Sequence, residues 1–364
     1  MNGTIAIGGR VIGKGQPACI VAEMSGNHGG SKGRAMEIIA RMKEAGADAV
    51  KFQTYTPDTI TIDCNNPFFT DCLRGTVWEG RTLHDLYAEA SMPWEWQPEL
   101  KAYAESLGMQ CFSTAFDATS VDFLERMNVP AYKIASFELV HLPLIRRIAA
   151  TGKPLILSTG MATREEIAEA IAAAREAGAT EIALLKCTSA YPARIEDANL
   201  RTIPAMAEEF RLPVGVSDHS LGNAVPVAAV TLGACIVEKH FTLDRKRDAG
   251  PDSSFSLEPL EYRVMVDAVR AAERDPPSAP IEEQALGYVR YGPTESDRKS
   301  LVFRPSLFVV EDVEAGETFT ERNVRIIRPG YGLPPMNLER ILGRKARNAV
   351  TRGTPLSEEL LEAR

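Results

Sequence analysis

Eight short runs of apolar and β-branched residues recur along the chain, and amphipathic stretches separate most of them. Each run has the length of a buried strand, whereas the stretches between them carry apolar residues at helical spacing. Strands that alternate with helices in this way predict a parallel sheet. The runs are ACIVAEM (18–24), DAVKFQT (48–54), MQCFSTAF (109–116), PAYKIAS (130–136), PLILST (154–159), EIALLKCT (181–188), LPVGVSDHS (212–220) and ACIVEKHF (234–241).

The stretch from Thr163 to Gly178 shows the helical pattern clearly. Thr163 and Glu166 have the spacing of a capping box, an apolar face follows, and Gly178 ends the helix. Eight strand–helix units within about 270 residues match the ~250-residue size of a (β/α)8 TIM barrel, whereas an open doubly wound sheet more often stops at five or six strands. The sequence therefore predicts the α/β class and a (β/α)8 barrel.

Three segments do not fit the repeating unit. The first, TIAIGGRVIG, indicates a β-hairpin that turns at Gly8–Gly9, and we expect it to plug the N-terminal face of the barrel. The second, residues 57–91, is a long connection after a strand, and such connections commonly act as lids. The third begins at DPPSAPIEEQ, which breaks the periodicity before a β-leaning module. The predicted divisions are a barrel domain over 1–274, a linker over 275–299 and a small β-rich domain over 300–364.

The composition excludes several classes of protein. The 364 residues include 41 Lys and Arg against 49 Asp and Glu, so the net charge is −8 and no overall basic field attracts nucleic acid or a membrane surface. No run approaches ~18 apolar residues and no basic leader precedes one, so we expect neither a membrane span nor a secretion signal, and a cytoplasmic location. A hydrophobic share of 45% is ordinary for a globular protein.

Six cysteines are too few for a disulfide scaffold. A disulfide between Cys64 and Cys72, which share the 57–91 segment, stays open. The cysteines inside apolar runs, which we expect to be reduced core thiols, are Cys19, Cys111, Cys187 and Cys235.

Polar side chains gather at the C-terminal ends of the predicted strands. In a barrel these ends meet at the face that carries the active site. A single Lys or Glu there is more often a solvated tip, and a single buried His is more often a core residue, but their coincidence on one face favours a functional site. They include Glu23, Lys51, Gln53, Thr114, Lys133, Ser136, Glu138, Ser158, Ser189, Tyr191, Ser217, His219, Glu238 and His240.

Two histidines end adjacent strands of this face. Strand alternation places His219 with Ser217 and His240 with Glu238. Two imidazoles that face one cavity, with oxygen ligands and water positions beside them, suit a divalent Mn, Fe, Co or Zn ion, and the lack of a Cys cluster argues against a closed structural zinc site. The alternative is that they are two unconnected core histidines.

Lysines and hydroxyls at the same face predict an anion site. Lys51 and Lys133 come from different strands, and backbone N–H groups of the 158–160 turn precede a helix. Such groups suit a phosphate or a carboxylate. Lys133 and Ser136 have opposite parity on a strand, so one of them must lie in the following loop. The surrounding hydroxyls are those of Thr114, Ser136, Ser158 and Ser217.

Taken together, these stretches resemble the sialic acid synthase family, in which an N-terminal barrel is joined to a C-terminal antifreeze-like (SAF) domain. The resemblance spans nearly the whole chain and all eight strands. The forms AEMSGNH, CTSAYPA and DSSFSLEP most resemble the branch that makes pseudaminic acid. The matching stretches are AEMSGNHGG, VKFQTY, FSTAFD, PAYKIASFE, LSTGMAT, LLKCTSAYP, GVSDHS, EKHFTLDRKRDAGPDSSFSLEP and RPGYGLPP.

The resemblance implies an enzyme that condenses phosphoenolpyruvate with an open-chain N-acetylated amino sugar and releases phosphate by C–O cleavage. In this branch the sugar is a 2,4-diacetamido-2,4,6-trideoxy hexose of the altrose type. A divalent metal held by His219 and His240 is implied, manganese first, with magnesium or cobalt as alternatives. The residues implied for phosphoenolpyruvate are Lys51, Gln53, Thr114, Lys133, Ser136, Ser158, Ser189, Tyr191 and Ser217.

The resemblance also implies residues for the sugar. Glu23 and Glu138 would act at the reacting carbon, and Asp252 would contact the sugar. Arg328 would reach the sugar from the partner subunit of a domain-swapped homodimer. Ser189 stands where the family usually carries Asn, so its contact with substrate differs from the family pattern.

Three other hypotheses stay open on the sequence. N-acetylneuraminate or legionaminate synthesis would use a different N-acetyl amino sugar. A class II aldolase or another phosphoenolpyruvate-dependent synthase would use the same barrel, and an aldolase would release no phosphate. A non-enzymatic carbohydrate-binding barrel would need none of Glu23, Lys51, Lys133, His219 and His240, and their presence argues against it.

Overall fold

Eight parallel strands close into a barrel, which confirms the predicted (β/α)8 architecture. The computed structural model describes residues 3–76, 78–248, 250–279 and 281–363. The strands are β1 (Ile5–Ile7) and β2 (Arg10–Ile12) in an N-terminal hairpin; β3 (Cys19–Glu23), β4 (Ala49–Thr54), β5 (Gln110–Ala115), β6 (Tyr132–Ile134), β7 (Leu155–Ser158), β8 (Ile182–Cys187), β9 (Val214–Asp218) and β10 (Ile236–His240) in the barrel; and β11 (Ser306–Val309) and β12 (Val324–Ile327) near the C-terminus.

Each barrel strand pairs with its neighbour in sequence, and β10 closes the barrel on β3. A helix follows every barrel strand and covers the outside of the sheet. The helices are α1 (Lys32–Glu44), α2 (Pro57–Ile60), α3 (Pro67–Thr70), α4 (Leu83–Ala90), α5 (Gln97–Ser106), α6 (Ala118–Arg126), α7 (Leu142–Ala149), α8 (Arg164–Glu176), α9 (Thr202–Phe210), α10 (Ala224–Thr231), α11 (Pro259–Arg274), α12 (Glu283–Leu286) and α13 (Leu338–Ile341).

Local sequence signals set the limits of α8 as expected. The Thr163 hydroxyl accepts the Glu166 N–H at 3.2 Å, and the Thr163 N–H donates to the Glu166 carboxylate at 2.9 Å. This reciprocal pair satisfies N–H groups that the first turn leaves unpaired. Gly178, at φ 103°, takes the left-handed conformation just after the helix, which favours glycine.

The N-terminal hairpin closes the barrel at the end where the strands begin. Gly8 and Gly9 both have positive φ at its turn. Ile5, Ile7 and Ile12 are fully buried in the cluster that fills the barrel interior. The expected plug is therefore present, and only the opposite end of the barrel is left for a site.

The 57–91 connection lies over the C-terminal face and binds the C-terminal domain. The Arg328 N–H donates to the Ile60 carbonyl at 2.9 Å, and the Thr61 hydroxyl donates to the Arg328 carbonyl at 2.8 Å. The rings of Phe69 and Phe308 lie 5.3 Å apart. The connection thus covers the barrel mouth and holds the small domain beside it.

The C-terminal domain has a small core and a second apolar face. β11 and β12 pair antiparallel. Leu307 and Val309 point into the domain's own core, whereas Phe308 packs against the 57–91 connection. Because β11 is buried on both faces, docking onto the barrel supplies apolar burial that the domain lacks alone.

The linker folds back along the barrel of its own chain. The N–H groups of Leu200 and Arg201 donate to the carbonyls of Ala285 and Leu286, each at 3.0 Å. Asp297 is buried and accepts the Ser189 N–H at 2.7 Å. The last barrel helix ends at Arg274 and β11 begins at Ser306, on either side of the predicted linker.

All six cysteines are free. Burial raises the pKa of the Cys19, Cys72 and Cys235 thiols to about 12, so these thiols stay protonated at neutral pH. Among the helices that the structure describes, none is both long and apolar enough to cross a bilayer.

Candidate active site

A pocket opens at the C-terminal end of the barrel strands, under the 57–91 connection and the C-terminal domain. Three residues implied by the resemblance do not line it directly: Glu23 and Glu138 pair with residues that do, and Ser189 lies behind Ser136. The implied residues that line it are Lys51, Gln53, Thr114, Lys133, Ser136, Ser158, Tyr191, Ser217, His219, His240, Asp252 and Arg328.

Strand register brings the cations to the floor of this pocket. Lys51 lies beside Glu23 of the neighbouring strand, and Thr114 lies beside Lys133. The Lys51 ammonium pairs with the Glu23 carboxylate and donates to the Thr114 hydroxyl at 3.2 Å. Lys133 donates to the Ser158 hydroxyl at 2.5 Å. The predicted lysines and hydroxyls of the anion site therefore lie together.

Glu238 lies between the two lysines. Its carboxylate is 3.8 Å from the Lys51 nitrogen and 3.7 Å from the Lys133 nitrogen, and it accepts the Ser217 hydroxyl at 3.0 Å. Burial acts to raise the pKa of Glu238, but the ammonium groups of Lys133 and Lys51 outweigh it and the pKa falls. A buried carboxylate thus balances positive charge where an anionic substrate would bind.

Glu23 lies beneath the floor, paired with Lys51. Burial raises the pKa of Glu23, although the Lys51 charge opposes the shift. Its second contact is the backbone N–H of Ser25, which donates to the carboxylate at 3.1 Å. These contacts hold a carboxyl group beside the cation that faces the pocket.

The hydroxyl groups of Ser136 and Ser189 lie one behind the other on one side of the floor. Ser136 lies in the loop after β6, so Ser136 is the member of the Lys133–Ser136 pair that is beyond the strand. The Ser189 hydroxyl donates to the Ser136 hydroxyl at 2.8 Å from behind. A Cβ at Gly160 would meet the Ser136 Cβ at 2.4 Å, so this approach requires glycine.

The two histidines face each other across the floor, with ring centres 5.3 Å apart. His219 Nδ1–H donates to the Thr188 carbonyl at 2.9 Å, which leaves its Nε2 lone pair available. His240 Nδ1 is buried with no hydrogen-bond partner. Burial lowers the pKa of both imidazoles, so both are neutral at pH 7.

This donor set fits part of a metal site. Neutral imidazoles are good ligands for divalent transition metals, and the unpartnered His240 nitrogen lacks any other role in the structure. Across the described part of the chain, no three His, Cys, Asp or Glu side chains converge as a ready metal cage. Two imidazoles would bind a metal here and leave coordination positions for water or a substrate oxygen, as in catalytic metal sites.

Arg328 forms the roof of the pocket together with Glu138. Its Nε and Nη2 donate to one Glu138 oxygen at 3.0 and 2.6 Å, and its Nη1 donates to the Tyr87 hydroxyl at 3.1 Å. The guanidinium lies 5.5 Å from the Phe116 ring centre and 4.7 Å from that of Phe137. Burial raises the pKa of Glu138 despite Arg328, and its second oxygen has no partner.

Arg328 and the other residues of the pocket belong to one chain in this structure. The linker packs along the barrel of the same chain and brings the C-terminal domain beside the pocket. Supply of Arg328 by the partner subunit of a domain-swapped homodimer stays a prediction.

Asp252 lines the pocket at its rim. Its carboxylate accepts the Ser25 hydroxyl, which in turn accepts the Gln53 amide N–H at 3.1 Å. Burial raises the pKa of Asp252. The Gln53–Ser25–Asp252 chain links the floor of the pocket to its rim.

Several pocket residues had no assigned role in the sequence. Strand alternation placed Glu238 on the same strand face as His240 but gave it no role. Tyr55 has the same parity in sequence as Lys51 and Gln53, so alternation also identifies it as a candidate pocket residue. Trp78 comes from the 57–91 connection and Phe303 from the segment just before β11, and no periodic signal indicates either of them. Tyr87 and Phe137 are likewise defined only by the fold.

Comparison with known proteins gives consistent results. The sequence profile of the NeuB family matches residues 38–276, and that of the SAF domain matches residues 304–362. Pseudaminic acid synthase of Helicobacter pylori is 42% identical over 95% of this chain and 98% of its own. N,N'-diacetyllegionaminic acid synthase of Legionella pneumophila is 35% identical, with 94% of each chain covered. The crystal structure of the spore coat polysaccharide biosynthesis protein SpsE of Bacillus subtilis superposes over 100% of both chains, with a TM-score of 0.84 at 32% identity.

Proposed function

The chain belongs to the NeuB family, and from this membership we propose that it is a pseudaminic acid synthase. Its substrates are phosphoenolpyruvate and an open-chain 2,4-diacetamido-2,4,6-trideoxy hexose of the altrose type. The products are phosphate and a nine-carbon nonulosonic acid. Identity of 42% over nearly the full length favours this sugar over those of the legionaminate and N-acetylneuraminate-type synthases, whose relatives are 35% and 31% identical.

The pocket floor is the observation that carries the proposal. Lys51 and Lys133 are buried side by side in a protein of net charge −8, so they define a local anion site. Phosphoenolpyruvate carries both a carboxylate and a phosphate, and charge-assisted hydrogen bonds from ammonium groups and hydroxyls bind such groups strongly. Thr114, Ser158 and Ser217 supply the hydroxyls.

In the proposed reaction, C3 of phosphoenolpyruvate attacks the sugar aldehyde, and the C=C electrons form the new C–C bond. The aldehyde oxygen takes up a proton and becomes a hydroxyl, while positive charge develops at C2. Water adds to C2 with loss of one proton, and the hemiketal phosphate then loses its hydroxyl proton and collapses to the C2 ketone with cleavage of the C2–O bond to phosphate. Glu23, held against Lys51, lies beside the bound anion, where a carboxylate stabilises the positive charge or accepts the proton of the attacking water. The cover formed by the 57–91 connection limits water near the cation.

His219 and His240 are the residues that would hold a divalent metal. When bound, the metal supplies Lewis-acid polarisation of the aldehyde oxygen. The Thr188 carbonyl accepts the His219 Nδ1–H and so orients the ring, and Nε2 would be the atom that binds the metal. Manganese is the first candidate, with magnesium and cobalt as alternatives.

A sugar panel tests the proposal. The purified protein receives phosphoenolpyruvate, manganese and one of three sugars: the diacetamido altrose compound, its legionaminate-type isomer or N-acetylmannosamine. We expect phosphate release and a nine-carbon acid by mass spectrometry, fastest with the altrose compound. Faster turnover of another sugar would assign the protein to the branch of the family that uses that sugar. Phosphate release without any sugar would contradict the proposal that the protein is a synthase.

Replacement of Lys133 by Met is expected to weaken phosphoenolpyruvate binding by ~2 kcal/mol or more, since a desolvated anion loses a charge-assisted partner. Calorimetric titration measures this affinity. Lys153→Met is the control, because Lys153 pairs with Glu125 outside the pocket. Equal affinities for the two variants would remove Lys133 from the anion site.

We also propose a cytoplasmic homodimer. The six free cysteines suit a reducing compartment. If two copies exchange their C-terminal domains, the contacts between that domain and the pocket are kept, but each domain then belongs to the other copy. In an exchanged dimer, mixing inactive Glu23→Ala with inactive Arg328→Ala subunits restores some activity, because some sites carry neither lesion. A dimer that exchanges subunits without recovery, or a monomer in solution, would contradict this arrangement.

A further inference from the structure

The upper part of the pocket has an apolar wall, defined here as Ile60, Trp78, Leu86 and Phe303. Ile60, Leu86 and Phe303 belong to one buried hydrophobic cluster that joins the 57–91 connection to the C-terminal domain, and Trp78 packs against it. The Trp78 and Phe303 rings meet edge to face at 6.0 Å. All four side chains line the pocket.

This wall offers a substrate no hydrogen bond from the side chains that define it. Its one polar group, the Trp78 indole N–H, donates to the Pro251 carbonyl at 3.3 Å. Arg328, the cation of the roof, already binds Glu138 and Tyr87. A hydroxyl buried against the wall would therefore lose its water without gaining a partner there.

The chemistry fixes which end of the sugar meets the wall. C1 of the open-chain sugar must lie at the floor, because the proposed phosphoenolpyruvate site is formed there by Lys51 and Lys133. The carbons farthest from C1 then extend toward the roof. C6 is the last carbon of a hexose, so its substituent is the one that reaches the wall.

We propose that the apolar wall selects an amino sugar whose C6 is a methyl group over one whose C6 carries a hydroxyl. The inference rests on the proposed function and adds the residues that recognise the deoxy carbon. A methyl group gains apolar burial at this wall, whereas a hydroxymethyl group pays for desolvation. An apolar pocket discriminates against an added hydroxyl by about 10²-fold at most, so we expect a preference of ~10- to 100-fold in kcat/KM.

The test uses two sugars that differ only at C6: the 6-deoxy diacetamido altrose compound and its 6-hydroxy counterpart. The wild type is expected to prefer the 6-deoxy sugar by the factor above. Leu86→Asn places an amide in the wall and should reduce this preference at least ~10-fold, mainly through a higher KM for the 6-deoxy sugar. Ile60→Thr is a second, milder variant in case the first does not fold.

Leu260→Asn is the control, because it is the same change at a side chain that is 76% exposed on α11. It should keep the wild-type preference, and all variants should keep the wild-type KM for phosphoenolpyruvate. Equal turnover of the two sugars by the wild type, or an unchanged preference in both Leu86→Asn and Ile60→Thr, would overturn the inference and leave the proposed function standing. No turnover of either sugar would overturn both.

Discussion

Replacement of His219 by Ala is expected to lower kcat/KM by about 10³-fold or more. Lewis-acid stabilisation of a developing oxyanion supplies several kcal/mol, and each 1.36 kcal/mol is a tenfold change in rate. The Nε2 of His219 is the atom that its hydrogen bond to Thr188 leaves free for a metal. His84→Ala is the control, since His84 pairs with Asp58 outside the pocket.

The same expectation has a readout that does not depend on activity. Manganese titration followed by calorimetry should detect one bound ion per wild-type chain and a much weaker one in His219→Ala. Chelator-treated wild type should regain turnover when manganese is added. Full activity after exhaustive chelation, or equal metal affinity in the two proteins, would contradict the proposal that His219 binds a catalytic metal.

Replacement of Arg328 by Met is expected to destabilise the protein by about 3–5 kcal/mol. The change leaves the Glu138 carboxyl buried without its ion-pair partner, and removing one member of a buried pair has costs of this size. The thermal midpoint should fall by about 5 °C or more. Activity should fall as well, because the roof loses the group that faces the sugar.

A second substitution separates the two effects. Glu138→Gln added to Arg328→Met removes the unpaired charge, so the midpoint should recover in part while activity stays low. Arg322→Met is the control, since Arg322 forms an exposed pair with Glu311 that contributes ~1 kcal/mol or less. A midpoint for Arg328→Met equal to that of the control would contradict the account of the roof.

The floor of the pocket could be predicted from the sequence because regular strand geometry determines it. Lys51, Thr114, Lys133 and Ser217 lie on barrel strands, and parallel strands of a barrel all end at one face. The period of two then decides which side chains point inward. The histidine pair follows from the same rule, since β9 and β10 are neighbours.

The roof could not be predicted in this way. It is assembled from the 57–91 connection and the C-terminal domain, whose contacts join residues far apart in sequence and carry no periodicity. Arg328 was assigned only through the family resemblance, and Phe303 and Trp78 were not assigned. Nor did the sequence indicate that Ser189 would lie behind Ser136, because that depends on the close approach of Gly160.

The linker shows a different limit of sequence reasoning. Its length permits the C-terminal domain to reach a second copy of the chain. The distance that the linker can span was the only property of its path that the sequence could predict. The contacts of Ala285 and Leu286 with the start of α9 and of Asp297 with Ser189 decide its path in this structure. Such contacts depend on single hydrogen bonds between distant segments.

The most direct test of the central claim follows one oxygen atom. Phosphoenolpyruvate carrying a heavy oxygen isotope at the bridging position between C2 and phosphorus is turned over with the 6-deoxy diacetamido altrose sugar, and both products are analysed by mass spectrometry. We expect a nine-carbon acid and inorganic phosphate that keeps the heavy oxygen, because water attacks C2 and the C2–O bond breaks. Unlabelled phosphate, or phosphate released without formation of the acid, would contradict the proposed reaction.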